Sequence, residues 1–276
     1  MTLVMGIVNV TPDSFSDGGR YLDASAAVAH GLWLRDQGAH LLDVGGESTR
    51  PGAERVDPAV ERERVLPVVR ELAAAGCAVS IDTMNASTAV AAVEAGARIV
   101  NDVSGGLADP EMLDAVAATS AEVVLGHWRG PSAEMYARAE YDDPVAEVLA
   151  ELAARVEAAA AAGIAPSRVI VDPGIGFGKR GEQNWAVLRG TERIAGLGPR
   201  VLVGTSRKRF LADRLAEHGE PDEGRRDLAT AVTSVLAAQA GAWAVRVHDV
   251  AATRDALRVA EAWEGESRWA ARTRSR

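Results

Sequence analysis

Polar side chains able to do chemistry recur along this sequence wherever a short apolar run ends. They are Asn9, Asp43, Asp82, Asn101 with Asp102, His127, Asp172, Ser206-Arg207-Lys208, and Arg246 with His248. Two kinds of ligand are suited to them. Asp82, Asn101 and Asp172 offer acceptors and one amide donor, which fits a flat heterocycle with a guanidine-like edge. A carboxylate takes two parallel hydrogen bonds from such an edge, as it does from arginine. Arg50, Arg207, Lys208, Arg246 and His248 instead gather positive charge suited to phosphate or carboxylate. Lys208 stands out because the chain uses arginine almost everywhere, and its only lysines are Lys179 and Lys208. The stretch after Asn9, Thr11 to Gly19, adds Asp13, Phe15 and Asp17 in a polar loop ending Gly18-Gly19. No Ser-His-Asp pattern and no Cys/His spacing of zinc type accompanies these groups. The lone cysteine, Cys77, reads as a small buried hydrophobe. For any single Asp before a helix, capping that helix is the plainer explanation. Polar groups at nearly every such position are harder to dismiss together.

The elements that must position these groups alternate regularly. Apolar runs suited to buried strands span Val4–Val10, His40–Gly45, Ala78–Asp82, Arg98–Asp102, Glu122–His127, Arg168–Asp172, Arg200–Gly204 and Ala244–His248. Alanine-rich amphipathic stretches between them predict helices over Ala24–Gln37, Ala59–Ala75, Ala86–Ala95, Glu111–Ala118, Asp143–Ala162, Asn184–Ile194, Ser206–Glu217 and Val250–Trp263. A further helix, Asp227–Ala240, follows a charged loop, and Trp128–Tyr141 is a long polar insertion, a surface loop or lid candidate. Gly38, Gly76, Gly96 and Gly163 stand where left-handed helix caps are wanted. An eightfold strand-helix repeat with no break in composition predicts a (β/α)8 TIM barrel, with an open doubly wound sheet as the alternative. In a barrel, the C-terminal strand ends and following loops form the active-site face, so the polar groups converge by topology. Gly204 and the start of the helix at Ser206 add N–H groups that favour an anion.

At 276 residues the chain is expected to form one domain over residues 1–266, followed by a basic tail at 267–276. It is 47% hydrophobic and 25% charged, in the range of a soluble globular protein. A formal net charge of −9 argues against general binding to nucleic acid or anionic membranes, so an anionic substrate needs a local basic cluster. The sequence shows neither a signal-peptide pattern nor an apolar run of membrane-spanning length, and a cytoplasmic location is the expectation.

The segments NVTPDSFSDGG (Asn9–Gly19), DVGGESTRPG (Asp43–Gly52), IDT (Ile81–Thr83), NDVSGG (Asn101–Gly106), DPGIGFGK (Asp172–Lys179), GTSRKRF (Gly204–Phe210) and RVHDV (Arg246–Val250) together resemble dihydropteroate synthase. The resemblance runs in order from about Val4 to Trp263. It implies a (β/α)8 barrel that joins 4-aminobenzoate to 6-hydroxymethyl-7,8-dihydropterin diphosphate, releasing diphosphate and forming 7,8-dihydropteroate. It also implies roles by position. Asp82, Asp172 and Lys208 would be catalytic, and with Asn101 they would hold the pterin. Arg246, His248 and Asn9 would hold the diphosphate, with Asn9 also helping to bind a Mg2+ ion. Phe15, Asp17, Thr49, Arg50, Pro51, Arg207 and Arg209 would enclose the aminobenzoate, in the pocket that sulfonamides occupy in this family. A homodimer through the later helices is implied as well.

The polar loops Thr11–Arg20 and Glu47–Val56 read as lids that complete the aminobenzoate site after the diphosphate substrate binds. Gly126 departs from the family, many of whose members carry methionine there, and predicts a pterin face with less thioether packing. Two rivals keep a pterin pocket: a barrel moving a methyl group from a folate to a corrinoid, and a non-catalytic pterin-binding paralogue. The first leaves Ser48–Gly52 and Ser206–Lys208 without a purpose, and the second leaves the diphosphate-side residues without one.

Overall fold

The structure is a computed structural model, which describes residues 1–10, 20–48, 55–131, 135–137 and 139–265. Eight strands run in chain order: β1 (Leu3–Asn9), β2 (Leu41–Gly45), β3 (Val79–Asp82), β4 (Ile99–Asp102), β5 (Glu122–Gly126), β6 (Val169–Asp172), β7 (Arg200–Val203) and β8 (Ala244–Val247). Each pairs in parallel with the next, and β8 pairs with β1 from Leu3↔Ala244 to Gly6↔Val247, so the sheet is a closed barrel. The runs are rich in Val, Ile and Leu and buried on both faces, as a parallel sheet covered by helices requires.

Side-chain alternation along each strand sets what points inward. Met5, Leu41, Ile99, Val124, Ile170, Leu202 and Ala244 form a compact inner cluster, separate from the larger core between strands and helices. Two residues on from members of this cluster stand Asp43, Asn101, Asp172 and Arg246. A period of two keeps them on the same inner face, one layer nearer the C-terminal mouth. The apolar plug is thus the floor of the polar site.

The helices are α1 (Arg20–Asp36), α2 (Pro58–Ala74), α3 (Ala86–Glu94), α4 (Met112–Ala117), α5 (Pro144–Ala161), α6 (Gly181–Arg189), α7 (Thr191–Ala195), α8 (Arg209–Leu215), α9 (Glu223–Gln239) and α10 (Val250–Glu264). Asp57, Asp143, Asp222 and Asp249 cap α2, α5, α9 and α10 by accepting backbone N–H bonds. Gly38, Gly76, Gly96 and Gly163 all take positive φ, as their positions before strands demand.

Two expected helices are corrected. The stretch Asn184–Ile194 breaks at Gly190, where an added Cβ would meet Val145 Cγ1 of α5 at 2.6 Å. The helix expected from Ser206 begins at Arg209, because Arg207 adopts a left-handed backbone (φ 56°) and cannot join it. The anion-binding helix start expected at Ser206 is therefore absent.

The described part of the 128–141 insertion is pinned down. Arg129 donates to Glu147 at 2.7 Å and lies 3.7 Å from the Tyr141 ring centre, while Met135 is buried. The ends of the second polar loop are also tied, with Val56 N donating to Glu47 at 3.0 Å and Arg55 paired to Glu47 at 3.1 Å. Phe15, Asp17, Thr49, Arg50 and Pro51, and the tail at 267–276, lie outside the described residues. No described helix is long and apolar enough to cross a membrane.

Truncating the plug tests the layer argument. Ile170→Ala should lower unfolding free energy by about 2–5 kcal/mol in a urea titration, whereas Arg70→Ala on the exposed face of α2 should change it by less than about 0.5 kcal/mol.

Candidate active site

At the mouth of the barrel, Arg246 from β8 reaches across to β2 and β3. Its Nε donates to Asp43 Oδ2 at 2.6 Å and its Nη2 to Asp82 Oδ2 at 2.7 Å. Asn101 Nδ2 donates to the same Asp43 oxygen at 2.9 Å, which orients the amide from β4. Asp43 is fully buried, and its other oxygen has no partner among the described residues. Burial pushes the Asp82 carboxyl up to about 7; Arg246 opposes the shift, and Asp43, Glu61 and Asp102 add to it. The Arg246 guanidinium is held above its ordinary value, as Asp43 and Asp82 outweigh its burial.

Asp172, at the end of β6, accepts from Gly174 N at 2.7 Å, and burial raises its carboxyl while nearby Lys208 opposes the rise. Lys208 Nζ donates to the Ile175 carbonyl and lies 4.6 Å from the Phe177 ring centre. Burial lowers the Lys208 ammonium to about 8, with Asp172 opposing. Ser206 Oγ lies 2.8 Å from His248 Nδ1 and accepts from His248 N at 3.0 Å, joining the ends of β7 and β8. Asn9, Asp82, Asn101, Asp172, Arg207, Lys208, Arg209, Arg246 and His248 all line one cavity of about 1380 Å³, together with Phe177 and Val103. Acceptors and cations therefore face the same space.

Some strand-end residues do other work. Asp102 points away from the barrel axis and accepts from Ser104 N, Ser104 Oγ and Gly106 N, holding its own loop. Arg207 lines the cavity, yet its guanidinium is committed to α9, forked on Asp227 at 2.8 Å and touching Glu223 at 3.1 Å. Arg209 is exposed and lies 3.6 Å from Asp213. His127 is buried beside Lys179, outside the cavity lining. The space a side chain at Gly126 would need is filled by backbone, since an added Cβ would sit 2.4 Å from the Val103 carbonyl oxygen.

This geometry has counterparts among known proteins. A family profile described as "Pterin binding enzyme" matches residues 5–248. The Mycobacterium leprae dihydropteroate synthase is 55% identical over 264 residues, covering 94% of this chain and 93% of that protein. The chain belongs to the dihydropteroate synthase family. Among solved dihydropteroate synthases, that of Xanthomonas albilineans with 4-aminobenzoic acid superposes with a TM-score of 0.88 at 47% identity, covering 96% of this chain and 93% of that one. The same organism's enzyme with 7,8-dihydropteroate gives a TM-score of 0.85 at 44% identity, covering 96% and 94%.

For a dihydropteroate synthase, three residues of this site gained no role from sequence reasoning. Asp43 was visible as a strand-end carboxylate, but only the fold shows it beneath Arg246 and Asn101. Phe177 lay within a glycine-rich motif without a stated partner. Glu61, fully buried on α2, accepts from Thr83 Oγ1 at 3.0 Å and Asn85 Nδ2 at 2.8 Å, bracing the loop after β3.

The raised Asp82 carboxyl carries a stability consequence. Its unfolded value is about 4, so between about pH 4 and pH 7 the folded chain holds a proton that the unfolded chain releases. Folding stability should therefore fall as pH rises through that window. Urea unfolding at pH 5 and pH 7.5 should show a smaller fall for Asp82→Asn than for wild type.

Proposed function

We propose that this chain condenses 6-hydroxymethyl-7,8-dihydropterin diphosphate with 4-aminobenzoate, giving 7,8-dihydropteroate and diphosphate. The observation that carries the reading is the single cavity in which Asp82, Asn101 and Asp172 meet Lys208, Arg246 and His248. Asp172 takes the amino and N3–H edge of the pterin, with Asp82 and Asn101 on the remaining ring nitrogens and amino group. Lys208 contacts the carbonyl and N5 side. Arg246 and His248 hold the diphosphate, and Arg246 Nη1 is the nitrogen that Asp43 and Asp82 do not use. Phe15, Asp17, Thr49, Arg50 and Pro51 complete the aminobenzoate pocket. The Ser206–Arg209 turn adds Arg209 at the rim, while Arg207 shapes that turn and its charge stays with Asp227.

Chemistry of this kind needs no nucleophilic side chain. The bond between the pterin methylene carbon and the diphosphate oxygen breaks, and its electron pair leaves with diphosphate. The electron-rich ring and the surrounding carboxylates stabilise the cation left on the methylene. The neutral arylamine nitrogen then forms the new C–N bond and gives up a proton to the released diphosphate. Electrostatics and positioning supply the acceleration.

The family also implies magnesium, and the donor chemistry accommodates it. Mg2+ takes oxygen ligands, keeps several waters and binds alongside substrate phosphates. Asn9 offers an amide oxygen at the cavity wall, and the described residues contain no three-member acidic or histidine cluster that could hold a metal unaided. Asn9 would hold the ion with the diphosphate, and when bound the ion neutralises leaving-group charge.

A homodimer through α9 and α10 is part of the same reading. Leu228, Val232 and Leu236 are 65%, 52% and 56% exposed at helical spacing on α9, and Val259 and Trp263 are 70% and 89% exposed on the adjoining α10. A contiguous apolar face of this kind marks an interaction surface. Leu236→Arg should shift sedimentation from dimer to monomer, and an unchanged mass would refute this face.

Diphosphate release from the pterin substrate, with and without 4-aminobenzoate, tests the reaction. Release that depends on the amine and yields dihydropteroate is expected; methyl transfer to a corrinoid, or binding without release, would replace the reading by one of its rivals. Arg246→Met and Asn9→Ala should each lower kcat by about 100-fold or more, and a rate within twofold of wild type would exclude that residue's role.

A further inference from the structure

Lys179 is 1% exposed, and the reaction above assigns it nothing. A buried ammonium ordinarily sits against a carboxylate. Here its three N–H bonds go to neutral acceptors: Gly174 O at 2.9 Å, Phe177 O at 3.1 Å and His127 Nδ1 at 2.9 Å. With Nδ1 accepting, the His127 proton sits on Nε2, which stands 2.9 Å from Glu151 of α5. Asn184 braces the same segment, accepting from Gly176 N at 2.7 Å and donating to Lys179 O at 3.1 Å. The Gly174–Phe177 turn, closed by Phe177 N to Gly174 O at 2.9 Å, is thus wrapped round an internal cation.

That turn is what Lys208 rests on. The Ile175 carbonyl accepts from Lys208 Nζ, and the Phe177 ring lies 4.6 Å from it. At Gly176 (φ 84°) an added Cβ would come within 2.8 Å of Lys208 Cδ. The start of the same turn holds Asp172 through Gly174 N at 2.7 Å.

We propose that Lys179 is a positioning residue for the reaction: its ammonium fixes the Gly174–Phe177 turn against β5, and the turn in turn fixes Lys208 relative to Asp172. The proposal rests on the pterin-site reading of Lys208 and Asp172 given above.

Protonation of Lys179 should then matter. The charged groups facing it are Asp172 from β6, Lys208 before α8, Arg129 after β5 and Glu151 from α5, with His127 alongside. Burial lowers the Lys179 ammonium to about 7, with Asp172 opposing, and lowers His127 to about 4, so the imidazole stays neutral. A neutral amine has two N–H bonds for three acceptors, so the turn loosens as pH rises through that value.

The test is steady-state kinetics of the full chain from pH 6 to pH 9 for wild type, Lys179→Met, Glu151→Gln and Lys208→Met. Lys179→Met should lower thermal stability modestly, since it leaves the Gly174 and Phe177 carbonyls and His127 Nδ1 without their donor, and should lower kcat/KM for the pterin substrate by about 10- to 100-fold. Asp82 and Lys208 titrate in the same range and remain in Lys179→Met, so wild type should show one proton-linked loss of kcat/KM near pH 7 beyond those that Lys179→Met retains. Glu151→Gln, which removes a charge favouring the ammonium, should move that loss to lower pH. Wild-type kcat/KM in Lys179→Met overturns the proposal. Should Lys179→Met fail to fold, an unmoved pH profile in Glu151→Gln overturns it and a shifted one supports it. Full turnover in Lys208→Met would instead overturn the pterin-site reading beneath the proposal, and the proposal with it.

Discussion

Arg246 joins carboxylates from two other strands under the mouth of the barrel, and the site is arranged round that buried bridge. The contact to Asp43 spans 203 residues of sequence, and the contact to Asp82 spans 164. Only a sheet that closes β8 onto β1 brings these groups together, since an open sheet would leave β8 at one edge and β3 far along it. Burying such charges is costly unless geometry and hydrogen bonds compensate. Here Asn101 adds a bond to the shared Asp43 oxygen, and the plug of apolar residues beneath excludes water from below. The bridge orients three cavity-lining side chains, Asp82, Asn101 and Arg246, before any substrate arrives.

That preorganisation explains how an acidic chain can handle an anionic substrate. Two carboxylates neutralise Arg246 in part, so its charge is fixed in place without repelling Lys208 out of the site. The lysine in turn rests on the Asp172–Lys179 segment through a carbonyl and an aromatic face. Acceptors and cations are then held in one cavity by rigid elements. Electrostatic catalysis works best when its dipoles and charges do not have to reorganise during the reaction.

Much of this was legible in the sequence because it depends on local pattern. Eight apolar runs alternating with amphipathic stretches define the barrel, and period-two alternation puts Asp43, Asn101, Asp172 and Arg246 on the inner face. The structure corrects the parts that depend on tertiary contact. The helix expected from Ser206 starts late because Arg207 is held in a left-handed conformation by Asp227 and Thr230 of α9, a contact no local pattern encodes. Gly190 caps α6 at a point where Val145 of α5 leaves no room for a side chain. Gly126 read as a lost methionine, but the Val103 backbone occupies that space. Lys179 stood in the sequence only as the chain's other lysine, at the end of the Asp172–Lys179 motif, and only coordinates reveal it buried among carbonyls.

A crystal structure with the pterin diphosphate bound bears most directly on the shared mouth of the barrel. The pterin edge should lie within hydrogen-bond distance of Asp172 and Asn101, and a diphosphate oxygen should contact Arg246 while that arginine still bridges Asp43 and Asp82. A pterin seated away from those groups, or a diphosphate bound where Arg246 cannot reach it, would contradict the account.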